Sequence, residues 1–314
     1  MRNLCIVIPT HERHRYLARC IDYYSKFDCK VIVCDSSVES YQPSCYANVV
    51  YYHLPGQRFA EKILFATSLC NTEFIALCPD DDFLFEDSLY KGAEILRTNE
   101  SAQACVGEVI MFYEEYPFRA VTQPGWLASV FDANAIPEDR ISKYLSNYQQ
   151  VLWSLYRTDA LRECFEIIRE ASYKNENFFE LTIATICSGR GGVCLLDDYW
   201  ILRELSVKEH WGTRHGSILA IKDLPEDEDA KTFCRLMSAV LFPGAGELAL
   251  SAYQKTGAKE NRFLLFVKKI LKKFTFGQVN TNNLKKIDID IDSDDRFMLI
   301  RKSFDAHFCK VAER

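Results

Sequence analysis

The feature that most constrains the fold of this 314-residue chain is a regular alternation of short apolar runs with amphipathic segments. The first run, LCIVIPT, is continuous and rich in β-branched residues, which is typical of a strand buried on both faces. Strands that alternate with helices predict a parallel sheet with right-handed crossovers. The predicted strands are 4–10, 30–37, 49–55, 73–83 and 104–113, and the predicted helices are 15–27, 58–70 and 87–99.

The chain after residue 113 is less regular. Its YP and QPG turn signals predict a loop over 114–126. Beyond it we expect mostly helix over 139–171 with a strand near VLWSLYR, then a helix over 175–192 that stops at glycines and a strand over 193–204.

The composition changes from about residue 222, where an acidic stretch is followed by amphipathic segments. We therefore expect two domains: an α/β domain over 1–221, with halves 1–115 and 116–221, and a mainly helical extension over 222–314. Within the extension, the alternating segment 287–296 predicts an edge strand or a flexible acidic turn.

Charge and cysteine usage restrict the class of protein. The net charge of −6 gives no indication of nucleic-acid binding. The 13 cysteines are odd in number and form no C-x-x-C pair, which favours free thiols in a reducing compartment. The start resembles no signal peptide, and no segment approaches the roughly 20 apolar residues of a membrane span. We therefore expect a cytoplasmic protein.

Three adjacent carboxylates, Asp80, Asp81 and Asp82, end the fourth predicted strand in the stretch LCPDDDF. One interpretation is a surface turn that caps the following helix. The other is a cation site, because clustered carboxylates in apolar surroundings are unstable unless positive charge neutralises them. A hard divalent ion such as Mg²⁺ or Mn²⁺ binds carboxylate oxygens and also bridges phosphates. The residues alone leave both interpretations open.

Polar residues also follow the other predicted strands. Thr10 and His11 end the first strand, and Asp35 and Ser36 end the second. Ligands of parallel α/β sheets bind at the carboxyl ends of the strands. We therefore expect these residues and the three acids to meet at one edge of the sheet.

The order IVIPTHERHRYL, VIVCDSS, VYYHLP and EFIALCPDDDFLFEDSL resembles the nucleotide-sugar-binding half of GT-A-fold glycosyltransferases. It is most similar to family-two-type bacterial enzymes that open with IPT-x-x-R and carry a D-x-D motif. The CDSS and DDDF spellings resemble a subgroup that acts in bacterial surface-polysaccharide assembly. The resemblance is good over residues 3–115 and loose over 116–215.

This resemblance implies a metal-dependent enzyme of GT-A fold, with a Rossmann-like, mostly parallel sheet flanked by helices. It implies transfer of a sugar with inversion at the anomeric carbon. The implied partners are a nucleotide-sugar donor, with a UDP-sugar favoured, and a glycan or lipid-linked acceptor. The Asp82 carboxylate would bind Mn²⁺ or Mg²⁺ together with Asp80, which also lies near the ribose, and Asp81 would point between them. Asp35 would accept a hydrogen bond from the base.

The remaining donor-side positions come from the same resemblance. Pro9 and Thr10 would shape the loop after the first strand, and Lys62 would reach the nucleotide or its phosphate. Turn formation by Asp35 and a solvated charge at Arg13 remain as alternatives. The other positions implied near the donor are His11, Glu12, Arg13 and Arg58.

An inverting transfer also needs a carboxylate base for the acceptor hydroxyl. The family places it at the start of a helix, a shape that NENFFELTIATICSGRGGVCLLD shares, although the usual E-D pair is missing. We predict Glu180, because it lies within an apolar segment, and Glu176 as the second candidate. The alternative for both is an acid that stabilises a helix N-terminus.

The segment LRELSVKEHWGTRHGS, residues 202–217, is dense in basic and aromatic residues. His210 and His215 are candidate metal ligands, Arg203 and Arg214 are candidates for phosphate contacts, and Trp211 could stack on a sugar or cover the site. Structural or solvated roles are the alternatives. Further on, lysines of FVKKILKKF either contact an anionic inner membrane face or lie in water: Lys268, Lys269, Lys272 and Lys273.

Two other functions fit the same fold. A nucleotidyltransferase that activates a sugar phosphate usually opens with a glycine-rich loop, and PTHERHR contains no glycine. A catalytically silent binding or scaffold protein is the other alternative, which the intact acid triplet disfavours.

Overall fold

The computed structural model describes most of the first 255 residues and a short segment near the end. The described residues are 3–42, 44–113, 119–122, 132, 134–148, 150–204, 215–255, 295–300 and 302.

The first half of the chain alternates strands and helices as the apolar pattern predicts. Each of β1, β2 and β4 is almost entirely buried, which explains why their sequences are continuous apolar runs and not alternating ones. The elements are β1 (Leu4–Thr10), α1 (His14–Tyr24), β2 (Lys30–Asp35), β3 (Val49–His53), α2 (Phe59–Leu69), β4 (Phe74–Leu77), β5 (Phe83–Leu84), α3 (Glu86–Thr98) and β6 (Ala104–Tyr113).

The second half adds three more strands and several helices to the described structure. Ser172 directly follows helix α5, and its φ of 50° is the left-handed conformation common after helix ends. The elements are β7 (Arg119–Thr122), α4 (Pro137–Ser146), β8 (Leu155–Arg157), α5 (Thr158–Ala171), α6 (Asn177–Arg190), β9 (Val193–Glu204) and α7 (Glu228–Val240).

All nine described strands belong to one sheet, in the order β3-β2-β1-β4-β8-β6-β9-β5, with β7 paired to β6. Strands β1 to β4 are parallel, and β8 is antiparallel to both β4 and β6, so β6 and its parallel neighbour β9 run in the direction of β1. Six strands therefore share one direction. This mostly parallel sheet flanked by helices confirms the predicted GT-A-type α/β fold.

Two strand predictions were wrong in detail. The predicted strand 73–83 is interrupted, because β4 pairs with β1 and β8 whereas β5 pairs with β9. The chain has to turn between these two places in the sheet, and the acids form that turn. Within the predicted loop 114–126, residues Arg119–Thr122 form β7. Strand β8 pairs only with the start of β6, so β7 can pair with its end.

The C-terminal part of the described chain is helical. The side chain of Asp227 accepts a hydrogen bond from the Ala230 backbone N–H and begins α7, as its acidic sequence predicts. Residues 245–255 and 295–300 are also helical. The four lysines of FVKKILKKF and most of the segment 287–296 lie outside the described residues. None of the described helices combines the length and apolar character needed to cross a membrane.

The shared strand direction explains where the candidate residues meet. Register pairs Thr10 with Asp35, so β1 and β2 end at one level. Strand β4 ends opposite Val7, three residues earlier, and the chain after it brings Asp80 to Thr10. Strand β9 ends at the same edge. Helix α6 leads into β9 and runs back across the sheet, so its first turn also lies at this carboxyl edge.

Candidate active site

The acid turn, which we define as residues 78–82, is held from below by helix α1. The Cys20 thiol donates to the backbone oxygen of Asp80 at 3.0 Å. One turn later, the Tyr24 hydroxyl donates to the Asp82 backbone oxygen at 3.4 Å and accepts from Leu84 N–H at 2.6 Å. Because the Cys20 and Tyr24 side chains are fully buried, their hydrogen bonds fix the backbone of the turn to the core. The fixed backbone in turn sets the directions of the three carboxylates.

Side chains at the end of β1 and in the loop that follows it contact Asp80 and Asp81 and partly offset their charge. The Thr10 hydroxyl donates to Asp80 Oδ2 at 2.5 Å, and the Arg13 guanidinium lies 3.1 Å from Asp80 Oδ1. The same guanidinium contacts Asp81 Oδ2 at 2.5 Å. These contacts bring Thr10, Arg13 and the acids together, and Asp81 faces Arg13.

Asp82 is held by the end of β9. Arg203 Nε lies 3.1 Å from Asp82 Oδ2, and the Glu204 backbone N–H donates to Asp82 Oδ1 at 3.0 Å. The Glu204 side chain is itself paired with the buried Arg19 of α1. The third acid therefore depends on residues more than 120 positions later in the chain.

Burial dominates the electrostatics of the acid turn. It raises the pKa of Asp80, although Arg13 opposes the shift, and it raises the pKa of Asp82 together with the neighbouring Asp81 charge. Both acids are at most 2% exposed. Arg13 and Arg203 alone therefore do not fully compensate the negative charges of Asp80 and Asp82. This is expected of a site that binds a further positively charged group.

Among the described residues, the acid turn matches a divalent cation in donor chemistry but not in the number of grouped ligands. Within the described residues, no group of three or more His, Cys, Asp or Glu side chains is arranged around a common metal position. The donor chemistry does fit, because the acids offer only hard carboxylate oxygens, and a carboxylate oxygen can accept more than one contact. A cation held by Asp82 and Asp80 would share those oxygens with Arg203 and Arg13.

Asp35 lies at the end of β2 and is completely buried. Ser37 donates to Oδ1 through its backbone and hydroxyl groups at 2.8 and 2.5 Å, while Oδ2 contacts the Tyr51 hydroxyl at 2.7 Å and His14 Nε2 at 2.9 Å. Burial raises the pKa of Asp35, but the hydrogen bonds from Ser37, Tyr51 and His14 outweigh it and leave the pKa lowered. A base N–H would have to replace one of these four hydrogen bonds, and His14 and Tyr51 are the half-buried partners whereas Ser37 is buried.

Lys62 of α2 lies beneath the same edge. Its ammonium donates to the Thr10 backbone oxygen at 2.6 Å and to the Ser36 hydroxyl at 2.9 Å. Burial lowers the pKa of Lys62 to about 8, against the raising effect of Asp80. The carbonyl of Ser36 in turn contacts His11 Nδ1 at 3.1 Å. The lysine thus joins the ends of β1 and β2 and holds positive charge behind the acids.

The loop after β1 adopts an unusual backbone conformation. Pro9 is the penultimate residue of β1, and Glu12 has a φ of 55°, which side-chain-bearing residues seldom adopt. The Glu12 backbone N–H donates to the Ser37 hydroxyl, and its carboxylate accepts from Val38 N–H, both at 2.7 Å. These contacts stabilise a strained turn that places Arg13 over the acids.

Glu176 and Glu180 stand at the start of α6 but in different surroundings. Glu176 lies 3.5 Å from His215 and 3.9 Å from Arg58, both of which are partly exposed. His215 is thus located beside Glu176, and the described contacts do not bring it to the acid turn. Arg58 precedes α2, where over half of its side chain is exposed.

Glu180 is the more unusual carboxylate. Its Oε1 is closed to solvent and forms no hydrogen bond with any described residue. Burial raises the pKa of Glu180, and Tyr148, Arg203 and Gln150 oppose the shift only in part. Since Arg203 also contacts Gln150 and Asp82, one side chain connects the surroundings of Glu180 with the acid turn. Glu180, the candidate base, and Asp82, the candidate metal ligand, therefore both lie near the Arg203 guanidinium.

Three predicted site residues lie outside the described residues: His210, Trp211 and Arg214. Their predicted roles as a metal ligand, a sugar contact and a phosphate contact stay predictions.

Several residues of the site were missed by sequence reasoning. Cys20 and Tyr24 lie on the apolar face of α1, so the sequence pattern indicates only core packing for them. Their spacing of four residues places them on the same side of the helix and could have suggested that they contact the same segment. Tyr51 and His14 gave no signal, because partners of Asp35 come from two other elements. Glu204 contributes mainly a backbone N–H, which no side-chain pattern reveals.

A comparison with protein-family models matches residues 5–174, just over half of the chain, to glycosyl transferase family 2. The chain belongs to glycosyltransferase family 2. It is accordingly a glycosyltransferase, which confirms the predicted class of enzyme.

Solved structures of similar fold include proteins from Staphylococcus aureus. TarS 1–349 in complex with UDP-GlcNAc superposes with a TM-score of 0.50 at 12% identity, and the match covers 83% of this chain and 92% of that one. TarS 1–349 without that ligand gives a TM-score of 0.48 with the same identity and coverage. At this identity the first match supports the fold alone. A search of curated proteins found no match.

Proposed function

We propose that this protein transfers a sugar, with inversion, from a nucleotide-diphosphate donor to a hydroxyl group of a glycan or lipid-linked acceptor. The observation that carries the proposal is the state of Glu180. Its Oε1 is closed to solvent and forms no hydrogen bond with any described residue, and Arg203 connects its surroundings with the acid turn. A UDP-sugar is the favoured donor, since the resemblance of the motifs favours a pyrimidine nucleotide and a fold neighbour holds UDP-GlcNAc. Bacterial surface-polysaccharide assembly is the proposed setting.

The donor binds at the carboxyl edge of the sheet in this proposal. Asp35 receives the base, the Arg13 guanidinium faces the diphosphate, and Lys62 adds positive charge from behind the acids. Asp82, with Asp80, would hold Mn²⁺ or Mg²⁺, and such an ion supplies positive charge to the departing diphosphate. Arg203 then keeps Asp82 and the Glu180 side of the site in fixed relation.

The transfer itself is a single displacement. Glu180 takes the proton of the acceptor hydroxyl as that oxygen attacks the anomeric carbon. The bond between the anomeric carbon and the diphosphate oxygen breaks, and its electron pair leaves with the nucleoside diphosphate. A carboxylate whose pKa is raised by burial suits this role, because its basicity lies nearer to neutral pH.

Donor binding can be tested by calorimetric titration with UDP, GDP and CDP, with and without Mn²⁺. We expect UDP to bind tightest, and Mn²⁺ to strengthen binding by at least about tenfold, the equivalent of about 1.4 kcal/mol. Asp82→Asn should abolish the Mn²⁺ effect, because it removes the charge that holds the ion. The matched control is Asp159→Asn, an exposed acid paired with Arg162, which should bind as wild type. Mn²⁺-independent UDP binding would contradict the metal role.

The base assignment can be tested by turnover. We expect Glu180→Gln to lower kcat by about 10²–10⁴-fold with little change in UDP affinity, because general-base catalysis contributes a factor of this size. Glu176→Gln is the control at the start of the same helix, and it should lower kcat far less. Unchanged turnover of Glu180→Gln on the donor and acceptor used for wild type would remove Glu180 as the base.

A further inference from the structure

A small cavity opens beside Glu180, and all of its lining residues except Tyr148 follow the segment that matches the family. Its volume is about 220 Å³. Two tyrosines form one wall, with ring centroids 5.2 Å apart and planes at 86°. Tyr148 follows α4, whereas Tyr253 belongs to the helix 245–255. Asn177 of α6 and Ser217 contribute an amide and a hydroxyl group. We call this space the tyrosine pocket.

The size of the tyrosine pocket limits what it can hold. It is smaller than the roughly 300–1,000 Å³ typical of sites for drug-sized ligands. At about 30 Å³ per water it has room for about seven waters, which suits a single sugar ring. A bound ring could therefore occupy the pocket with only one of its hydroxyls at Glu180.

The chemistry of the wall fits an uncharged polyhydroxyl compound. The tyrosine rings offer apolar surface to ring C–H groups. The Asn177 side-chain oxygen can accept a hydrogen bond from a sugar hydroxyl, and the Ser217 hydroxyl can donate one. No lysine or arginine is among the residues that line the pocket in the described part of the chain. The neighbouring Arg203 is directed to Asp82 and Gln150. A phosphate or carboxylate would instead meet the Glu180 carboxylate and be repelled.

We propose that the tyrosine pocket is the acceptor subsite and takes one uncharged sugar ring, stacked against Tyr148 and Tyr253, with a hydroxyl at Glu180. This inference rests on the proposed function and adds the substrate class. It also assigns a role in acceptor binding to the helix 245–255, which lies 71 or more residues beyond the end of the family match.

Saturation-transfer NMR on the full chain with UDP and Mg²⁺ tests the proposal. The neutral probes are the methyl glycosides of glucose, galactose, mannose, N-acetylglucosamine and rhamnose, and the anionic probes are glucose 6-phosphate and glucuronate. We expect at least one neutral probe to bind and both anionic probes to bind more weakly. Tyr253→Leu should weaken the neutral probe by about tenfold, and Tyr253→Phe should retain most of the binding because it keeps the ring.

The controls separate this inference from the proposed function. Tyr90→Leu changes a tyrosine on α3 that contacts Glu86, and it should leave probe binding unchanged. Thermal unfolding of each variant reports whether it folds. If Tyr253→Leu does not fold, Ser217→Trp carries the test, because this exposed lining residue would fill the pocket with a larger side chain and should abolish binding of the neutral probe. Loss of UDP binding in the wild type would count against the proposed function. Normal UDP binding with no neutral probe bound, with tighter anionic probes, or with no effect of Tyr253 would overturn the subsite.

Discussion

At the scale of single residues, this site is built from charged groups that the fold buries and then only partly neutralises. Lys62 shows the consequence most clearly, because it is 4% exposed and carries its charge behind the acids. Burial lowers its pKa from 10.5 to about 8 despite the attraction of Asp80. The lysine therefore costs stability in its charged form, which indicates that its charge serves binding more than folding.

Lys62 gives a pH-dependent prediction for stability. Between pH 8 and 10.5 the folded chain holds fewer protons at Lys62 than the unfolded chain, so its contribution to stability rises with pH across this window. The full shift corresponds to about 3 kcal/mol. We expect the unfolding free energy of wild type minus that of Lys62→Met, measured in urea, to increase by about this amount from pH 8 to 10.5. A difference that stays constant would show that Lys62 titrates normally.

At the scale of secondary-structure elements, a close backbone approach at the opposite, amino edge of the sheet fixes two elements that support the site. Gly191 lies between α6 and β9, the two elements that supply Glu180 and Arg203. A Cβ atom at this position would overlap the carbonyl oxygen of Ser101, in the turn that leads into β6. Its φ of −174° is accessible to any residue, so the requirement for glycine here is one of space.

Replacement of this glycine should disturb the joint between α6 and β9. We expect Gly191→Ala to lower the unfolding free energy by about 1–3 kcal/mol, as overpacking of a closed site does. Gly216→Ala is the matched control, because a Cβ atom there meets no atom within 4 Å. Urea denaturation of the two variants measures the difference. Equal stability of both variants would mean that the Ser101 turn moves aside without cost.

At the scale of the whole molecule, the two halves of the chain are joined beneath the acid turn by a buried ion pair. Arg19 of α1 contacts Glu204 of β9, and the two residues are 1% and 2% exposed. Glu204 also holds Asp82 through its backbone N–H. The pair thus connects the first helix, the last strand and the candidate metal ligand.

This buried pair predicts a large effect of single substitution. Arg19→Met should lower the unfolding free energy by about 3–5 kcal/mol, because it leaves Glu204 charged and buried without its arginine. The double variant Arg19→Met with Glu204→Leu should recover most of that loss, since no buried charge remains. Arg97→Met, which affects ion pairs that are 43% exposed on the arginine side, should cost at most about 1 kcal/mol. Equal effects of Arg19→Met and Arg97→Met on chemical denaturation would refute a stabilising role.

The sequence by itself determined the first-half alternation, the sheet direction and the edge at which Thr10, Asp35 and the acids meet. These follow from local physics: continuous apolar runs form buried strands, and parallel strands share one carboxyl edge. It also indicated Glu180, because a charge inside an apolar segment is unfavourable without a function.

Only the tertiary structure decided which groups surround these residues. Arg203 and Asp82 are 121 positions apart, and Thr10 and Asp80 are 70 apart. Their contacts depend on the register of β1, β4 and β9 and on the turn that breaks the predicted fourth strand. Tyr253 reaches Tyr148 by the packing of a helix outside the family match. Such long-range contacts arise from packing of whole elements, and a local pattern of residue types does not encode them.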